Sequence, residues 1–333
     1  MRKILAVALL LGGIWGGYWF VGSTAMERAL VAWIDDRQTD GWVAEYETLN
    51  TRGFPNRFDT TVTELELADP RTGVAWSAPW FQILSLSYRP HHVIAVWPDK
   101  QVLATPFERI DITSADMRGS MVLEPTTALG LDRSSILTER VELASTLGWT
   151  ASMEHAQLAV RRTPTVANSY DLSLEARGVK PASELVRMIS RGVLLPEVFD
   201  GLEIRATVEF DAPWNRFAIE RARPQPRRIH LDILKAQWGE LDLWMAGELL
   251  VDSAGLATGE ITVKAKNWRD MVKIAVGAGV MAPEFEGTIT SALEFLAGLS
   301  GDPETLDTPL KFDRGRVWFG PVPLGQAPRF VIR

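Results

Sequence analysis

His91, His92, His155 and His230 are the side chains of this chain best placed for acid–base or metal chemistry near neutral pH. His91 and His92 are adjacent at the start of an expected strand, His91–Trp97. Neighbours on a strand point to opposite faces, so the pair cannot share one metal from regular β geometry. His155 and His230 fall in no metal-binding or catalytic spacing, although either one beside a Ser or Asp would make a hydrolase site. The run Gly277-Ala278-Gly279-Val280-Met281-Ala282 matches the dinucleotide-binding glycine pattern. It follows a helical stretch instead of joining a strand to a helix, so its glycines read as a helix C-terminus. No Gly-x-Ser-x-Gly elbow, phosphate-binding loop or His-Glu-x-x-His occurs. Asp35, Asp36, Glu45 and Glu47 read as solvated faces. The expectation is a non-enzyme with no catalytic residue, no metal and no cofactor.

Aromatic residues offer a different chemistry. There are 13 Trp: Trp15 and Trp19 lie in the first apolar run, Trp33 and Trp42 follow it, and the others are scattered along the strands. Scattered Trp fills cores, and it equally suits a surface that meets an apolar ligand. Trp244 lies across its strand from the apolar row Leu241–Val251. Tyr88 and Arg89, with Trp97, have the types needed for a stacked cation–π cluster. Tyr88, Arg89, Trp97 and Trp244 are therefore the candidate ligand-binding residues, for lipid or another apolar molecule.

The elements that must position these residues are mostly strands. Ile204, Ala206, Val208 and Phe210 alternate with Glu203, Arg205, Thr207 and Glu209. Leu241, Leu243, Met245, Gly247, Leu249 and Val251 form a longer row, and 172–176, 229–233 and 261–265 repeat the pattern. Such two-residue alternation specifies antiparallel sheet with one apolar and one polar face. Helical spacing is confined to Met26–Arg37, Pro181–Arg191, Asn267–Ala278 and Thr288–Leu299, the last of which also permits a strand over Ile289–Leu293. A strand, a helix and a Pro-Glu exit (Pro196-Glu197, then Pro283-Glu284) occur twice, about 88 residues apart, as in a duplicated unit. The fold class is mainly β (α+β): an N-terminal transmembrane helix, then an extended curved antiparallel sheet with a few packed or capping helices. The expected divisions are an anchor at 1–25, a first β-rich half at 26–165 and a second at 166–333. The seam lies at Arg161-Arg162-Thr163-Pro164.

Met1-Arg2-Lys3 precedes an uncharged apolar run, Ile4–Gly22. At ~1.5 Å per residue it suffices for a bilayer core of roughly 30 Å. Ser23-Thr24-Ala25 fits a signal-cleavage site, but the run is long for a signal and ends in Tyr18-Trp19-Phe20, as at a membrane interface. The reading is an uncleaved anchor, held in a membrane through residues 4–22, with the body outside the cytoplasm. A cleaved signal is the alternative. With no Cys, an exported body must rely on buried area and not on disulfides. A net charge of −7 and a pI near 5.3 exclude nucleic acid as a natural partner.

Several strings in this chain resemble one family. Gly53-Phe54-Pro55-x-Arg57 comes first. Ala78-Pro79-Trp80, Ser87-Tyr88-Arg89-Pro90-x-His92 and Trp97-Pro98 follow, and Gly315-Arg316-Val317-x-x-Gly320-Pro321 closes the chain. Together they are similar to domain of unknown function 2125, a family mainly of alphaproteobacterial envelope proteins. The resemblance implies an envelope location, with residues 4–22 anchored in a bacterial inner membrane and the body in the periplasm, and no particular activity. The residues that carry it are Gly53, Phe54, Pro55, Arg57, Pro90, His92, Pro98, Gly320 and Pro321. Gly53 suits a turn with positive φ and Pro55 a stiff strand entry, while Pro79, Pro90, Pro98 and Pro323 are expected to end strands. In layout the chain also resembles AsmA-like envelope proteins, which implies a curved sheet with an apolar groove. Two functions follow: handling of lipid or another apolar envelope molecule along the sheet, or a scaffold that binds an envelope protein partner. They differ in whether the apolar face is an open groove or a sealed core.

Overall fold

In the computed structural model, which describes residues 1–300, 302–320 and 322–332, the alternating segments are strands and the chain forms two compact units. One unit comprises Met1–Pro125 with Ile136–Gly148, the other Thr126–Ser135 with Trp149–Arg333. In the Arg161–Pro164 stretch, where a seam was expected, Arg161 and Arg162 pair with Asp171 and Tyr170, and Thr163 and Pro164 begin the connection between the two strands, all inside the second unit.

The first unit opens with one helix, α1 (Arg2–Thr39), running without a break from the apolar segment into the following amphipathic one. It is long and apolar enough to cross a membrane, with a mean hydropathy of 1.9 over its most apolar window. Its strands are β1 (Val43–Glu45), β2 (Thr48–Arg52), β3 (Arg57–Asp69), β4 (Val74–Leu86), β5 (Arg89–Val96), β6 (Lys100–Ala104), β7 (Arg109–Thr113) and β8 (Asp116–Leu123), with residues 136–145 of β9 (Leu131–Ser145). β3 is the centre: β1 and β2 pair with successive parts of one edge, and β4 pairs along the other. β4 then pairs with β6 through Ala75–Ser77 and with β5 through Gln82–Leu86.

Between those two pairings lies Pro79, which the sequence placed at a strand end. It sits instead inside β4, opposite Glu64 of β3, whose φ is +47°. Thr63↔Trp80 and Leu65↔Ala78 pair on either side, so the register is kept across the irregular point. Only the facing changes. Phe58, Thr60 and Val62 point inward before Glu64, and Leu65 does so after it, so the two-residue period slips by one. β4 slips in concert: Trp76 and Ala78 share a face with Phe81 and Ile83, their partners' side. A proline is tolerated there because its missing N–H falls where neither β5 nor β6 is paired. Pro90 likewise lies inside β5, beyond the Ser85↔Val93 pairing. Pro98 is fully buried just after β5 and does follow a strand end.

The second unit is a meander. Its strands are β10 (Thr150–Arg162), β11 (Ser169–Lys180), β12 (Phe199–Phe210), β13 (Pro226–Trp238), β14 (Leu241–Val251), β15 (Ala257–Lys266), β16 (Thr305–Asp313), β17 (Arg316–Phe319) and β18 (Val322–Gln326). Each pairs antiparallel with the next. α2 (Ser183–Ser190) lies in the β11–β12 connection and α3 (Arg216–Glu220) in the β12–β13 connection. α4 (Trp268–Gly277) and α5 (Glu286–Ser300) fill the β15–β16 connection. The short α3 was not foreseen; Asn215 Oδ1 caps it by accepting from the Phe217 N–H at 2.9 Å. Thr288–Leu299 is helix, within α5. Pro323, expected to stop the last strand, lies within β18, opposite Trp318 of β17. Pro321 lies outside the described residues.

α4 and α5 cover β14–β17. Ile261, Val263, Ala265, Leu306, Phe312 and Phe319 pack against Trp268, Val272, Ile289, Leu293 and Ala297. Trp268 is enclosed, and its indole N–H donates to Pro303 O at 3.1 Å. Here the apolar sheet face is a sealed core. α2 packs on α4 so closely that a Cβ on Gly277 would stand 2.2 Å from Ile189 O.

Candidate functional site

The first unit has a different interior. Leu30, Trp33 and Ile34 fall on one face of α1 by their i, i+3, i+4 spacing. They look onto Val62, Leu65 and Leu67 of β3, Trp76, Phe81 and Ile83 of β4, and Trp97, leaving a trough of about 600 Å³. All ten lining residues are apolar, and that volume is inside the range of roughly 300–1,000 Å³ typical of small-ligand sites. The joint slip at Glu64 and Pro79 is what brings Val62 and Leu65, and Trp76 and Phe81, into the same wall.

The aromatic wall is fixed in place. Phe81 meets Trp76 edge-on at 6.0 Å and Trp97 at 5.3 Å. The Trp76 indole N–H donates to Gln101 Oε1 at 3.0 Å, so its one polar group is satisfied without facing the trough. The helix wall is looser. Trp33 is 46% exposed, with the Arg37 guanidinium 5.9 Å over its ring, whereas Ile34 is buried. Two other hollows carry charged side chains: one has Glu64, Lys100, Arg109 and Asp111 in its lining, the other Glu175, Arg177, Asp200 and Lys235.

α1 is held over this face by polar contacts at both ends. Trp15 Nε1 donates to Pro55 O (3.0 Å), Tyr18 Oη to Ser87 O (2.6 Å) and Trp19 Nε1 to Arg57 O (2.7 Å). Farther along, Glu27 Oε1 accepts from the Thr51 N–H, and Gln38 Nε2 donates to Ala44 O, each at 2.6 Å. Gly22 permits the closest approach: a Cβ there would lie 2.5 Å from the buried Phe58 ring.

The string Gly53-Phe54-Pro55-x-Arg57 thereby acquires a role. Gly53 has φ +102°, and its carbonyl accepts from the Asn56 and Arg57 N–H groups. The Phe54–Pro55 bond is cis. Phe54 packs against Trp19 and Phe20 of the helix, at 5.5 and 5.9 Å. Gly320, with φ +55°, makes the tight turn between β17 and β18.

The expected ligand cluster divides. Trp97 lines the trough. Tyr88 and Arg89 sit at the other end of β5, on the order of 25 Å away at ~3.3 Å per residue. They form no cation–π pair with Trp97; length along the strand defeats the closeness in sequence. Trp244 is exposed on the outer face of β14, between Lys235 and Lys264. His91 and His92 point apart, and His92 Nε2 is 3.0 Å from Ser120 Oγ. His230 is half exposed between Asp232 and Glu248, and no histidine lines the three hollows described. No cluster of metal-ligating side chains occurs among the described residues. Sequence reasoning missed Leu30, Trp33 and Ile34, although their helical spacing was readable, and missed Trp15, Tyr18 and Trp19 as docking groups.

A β-rich body with one long apolar helix docked on an incompletely covered sheet defines the class. The chain belongs to the family described as an uncharacterized protein conserved in bacteria (DUF2125), whose model matches residues 19–328. No curated protein and no solved structure matches it, so the likeness to AsmA-like proteins gains no support.

Proposed function

We propose that this is a non-catalytic envelope protein, anchored in the inner membrane by α1, that takes an acyl chain or similar apolar envelope molecule into the trough between α1 and β3–β4. The observation that carries the reading is the lining itself: ten apolar side chains and no charge around about 600 Å³. An unfilled trough of this kind leaves its walls without contact partners on one side. Each methylene transferred into it from water is worth about 0.8 kcal/mol. The helix that forms one wall of the trough is the same one that would leave the bilayer, which supports a lipid as the occupant. Native mass spectrometry of the full-length protein, wild type against Leu67→Trp, tests this. Lipid adducts on the wild type that disappear when the trough is filled are expected; a wild-type chain without adducts removes the proposal.

The scaffold reading rests on a separate observation. α2 exposes Leu185 and Met188, and Leu194 beyond it is almost fully exposed. Crosslinking from position 188 in whole cells to one stoichiometric protein would favour that reading.

A further inference from the structure

The anchor reading has a geometric consequence for the first unit. The body already grips α1 at Trp15. The apolar helix free of it, Ile4–Ile14, measures about 16 Å at ~1.5 Å per residue. A bilayer hydrocarbon core is about 30 Å thick. The whole run Ile4–Gly22, about 28 Å, is therefore needed to cross it. Lipid must then rise past the level at which the body is packed on the helix.

We infer that the Gly53–Asn56 loop and the Ser87–Tyr88 turn are sunk into the leaflet on the body's side, and that with Trp15, Tyr18 and Phe20 they form a membrane-inserted wedge. This rests on the anchor reading. Its occupant is the bilayer, because submersion of these segments reconciles the grip at Trp15 with the thickness to be crossed.

The local chemistry fits that depth. Non-helical backbone in lipid survives only when its polar groups are satisfied internally. Pro55 has no N–H to satisfy. The carbonyls of Pro55, Arg57 and Ser87 accept from the three aromatic donors of the helix. Gly53 O accepts two loop N–H groups, Asn56 O accepts the Ser87 N–H, and Ser87 Oγ donates to Pro55 O. The surface offered outward is aromatic: Phe54 is 57% and Tyr88 56% exposed, beside the exposed Phe20. Arg52 and Arg89 flank it, with stems long enough to carry their charges back to the headgroups, and Arg57 is paired with Asp59 at 3.0 Å.

The absence of Cys from the chain permits single reporters. Leu10→Cys, Asn56→Cys, Tyr88→Cys and Phe107→Cys are each labelled with an environment-sensitive fluorophore. The full-length protein is placed in vesicles of phosphatidylethanolamine and phosphatidylglycerol. Phe107 is exposed in the β6–β7 turn, beside the far end of the β3–β4 hairpin, and serves as the aqueous control. Labels at 10, 56 and 88 should shift to the blue and be quenched by spin-labelled lipid, while 107 stays water-like. Water-like signals at 56 and 88 with an inserted label at 10 would overturn the wedge and leave the anchor standing. A water-like label at 10 would overturn both.

Discussion

Trp19 is the residue on which docking of the helix turns. It is 6% exposed, touches Phe20, Phe54 and Phe58, and its N–H meets Arg57 O at 2.7 Å. Trp19→Phe keeps most of the apolar contact and strands a buried carbonyl, at a cost of about 1–3 kcal/mol. Thermal unfolding should show that loss, together with faster proteolysis after α1. Asp171 tests the second unit. Burial pushes its carboxyl up, but hydrogen bonds from Thr163 (2.7 Å), Arg161 (3.0 Å) and Thr207 (3.1 Å) outweigh this and hold it below the usual carboxylate range. A carboxyl lowered on folding stabilises above its unfolded pKa of about 3.9, and that contribution fades as pH falls through the folded value. Asp171→Asn should cost about 1 kcal/mol at pH 7, with the gap to wild type closing in strong acid. Denaturant titrations at several pH values read it.

At the scale of elements, strands were the legible part. The row Leu241–Val251 is β14 to the residue, because alternation of this length has no other solution. Helix α4 was readable from Asn267 and its apolar face. What the sequence hid was coupling between elements. Pro79 looks like a strand end until Glu64, opposite it, is seen in a left-handed conformation, a pairing set by register alone. Tyr88, Arg89 and Trp97 looked like a cluster because nine residues are a short string but a long strand. The helix-to-helix contact at Gly277 was equally hidden, since its glycine reads as a cap. Gly277→Ala should push α2 from α4, destabilising the second unit by about 1–3 kcal/mol as in other overpacked contacts. Hydrogen exchange should show faster opening of α2 with the β14–β16 amides little changed.

Across the whole molecule, each unit meets the same problem in its own way: a sheet with one apolar face must cover it. The second unit closes over β14–β17 with α4 and α5, and Trp268 and Ala297 are sealed within. The first unit has α1 alone, and a single helix leaves a trough. Trp33 at 46% exposure beside the buried Ile34 marks the edge of that cover. The sequence showed the apolar faces but not which of them would be sealed, since that depends on where connecting helices land. Filling the trough should therefore be tolerated. Leu67→Trp, in a space of about 600 Å³, should change the unfolding midpoint little, where the same substitution in a packed core costs about 1–3 kcal/mol. The most direct test replaces Phe81 with a photocrosslinking phenylalanine analogue in the full-length protein in living cells. Illumination should join position 81 to lipid, identified by mass spectrometry of the adduct. A crosslink confined to α1 residues, with no lipid attached, would contradict the account.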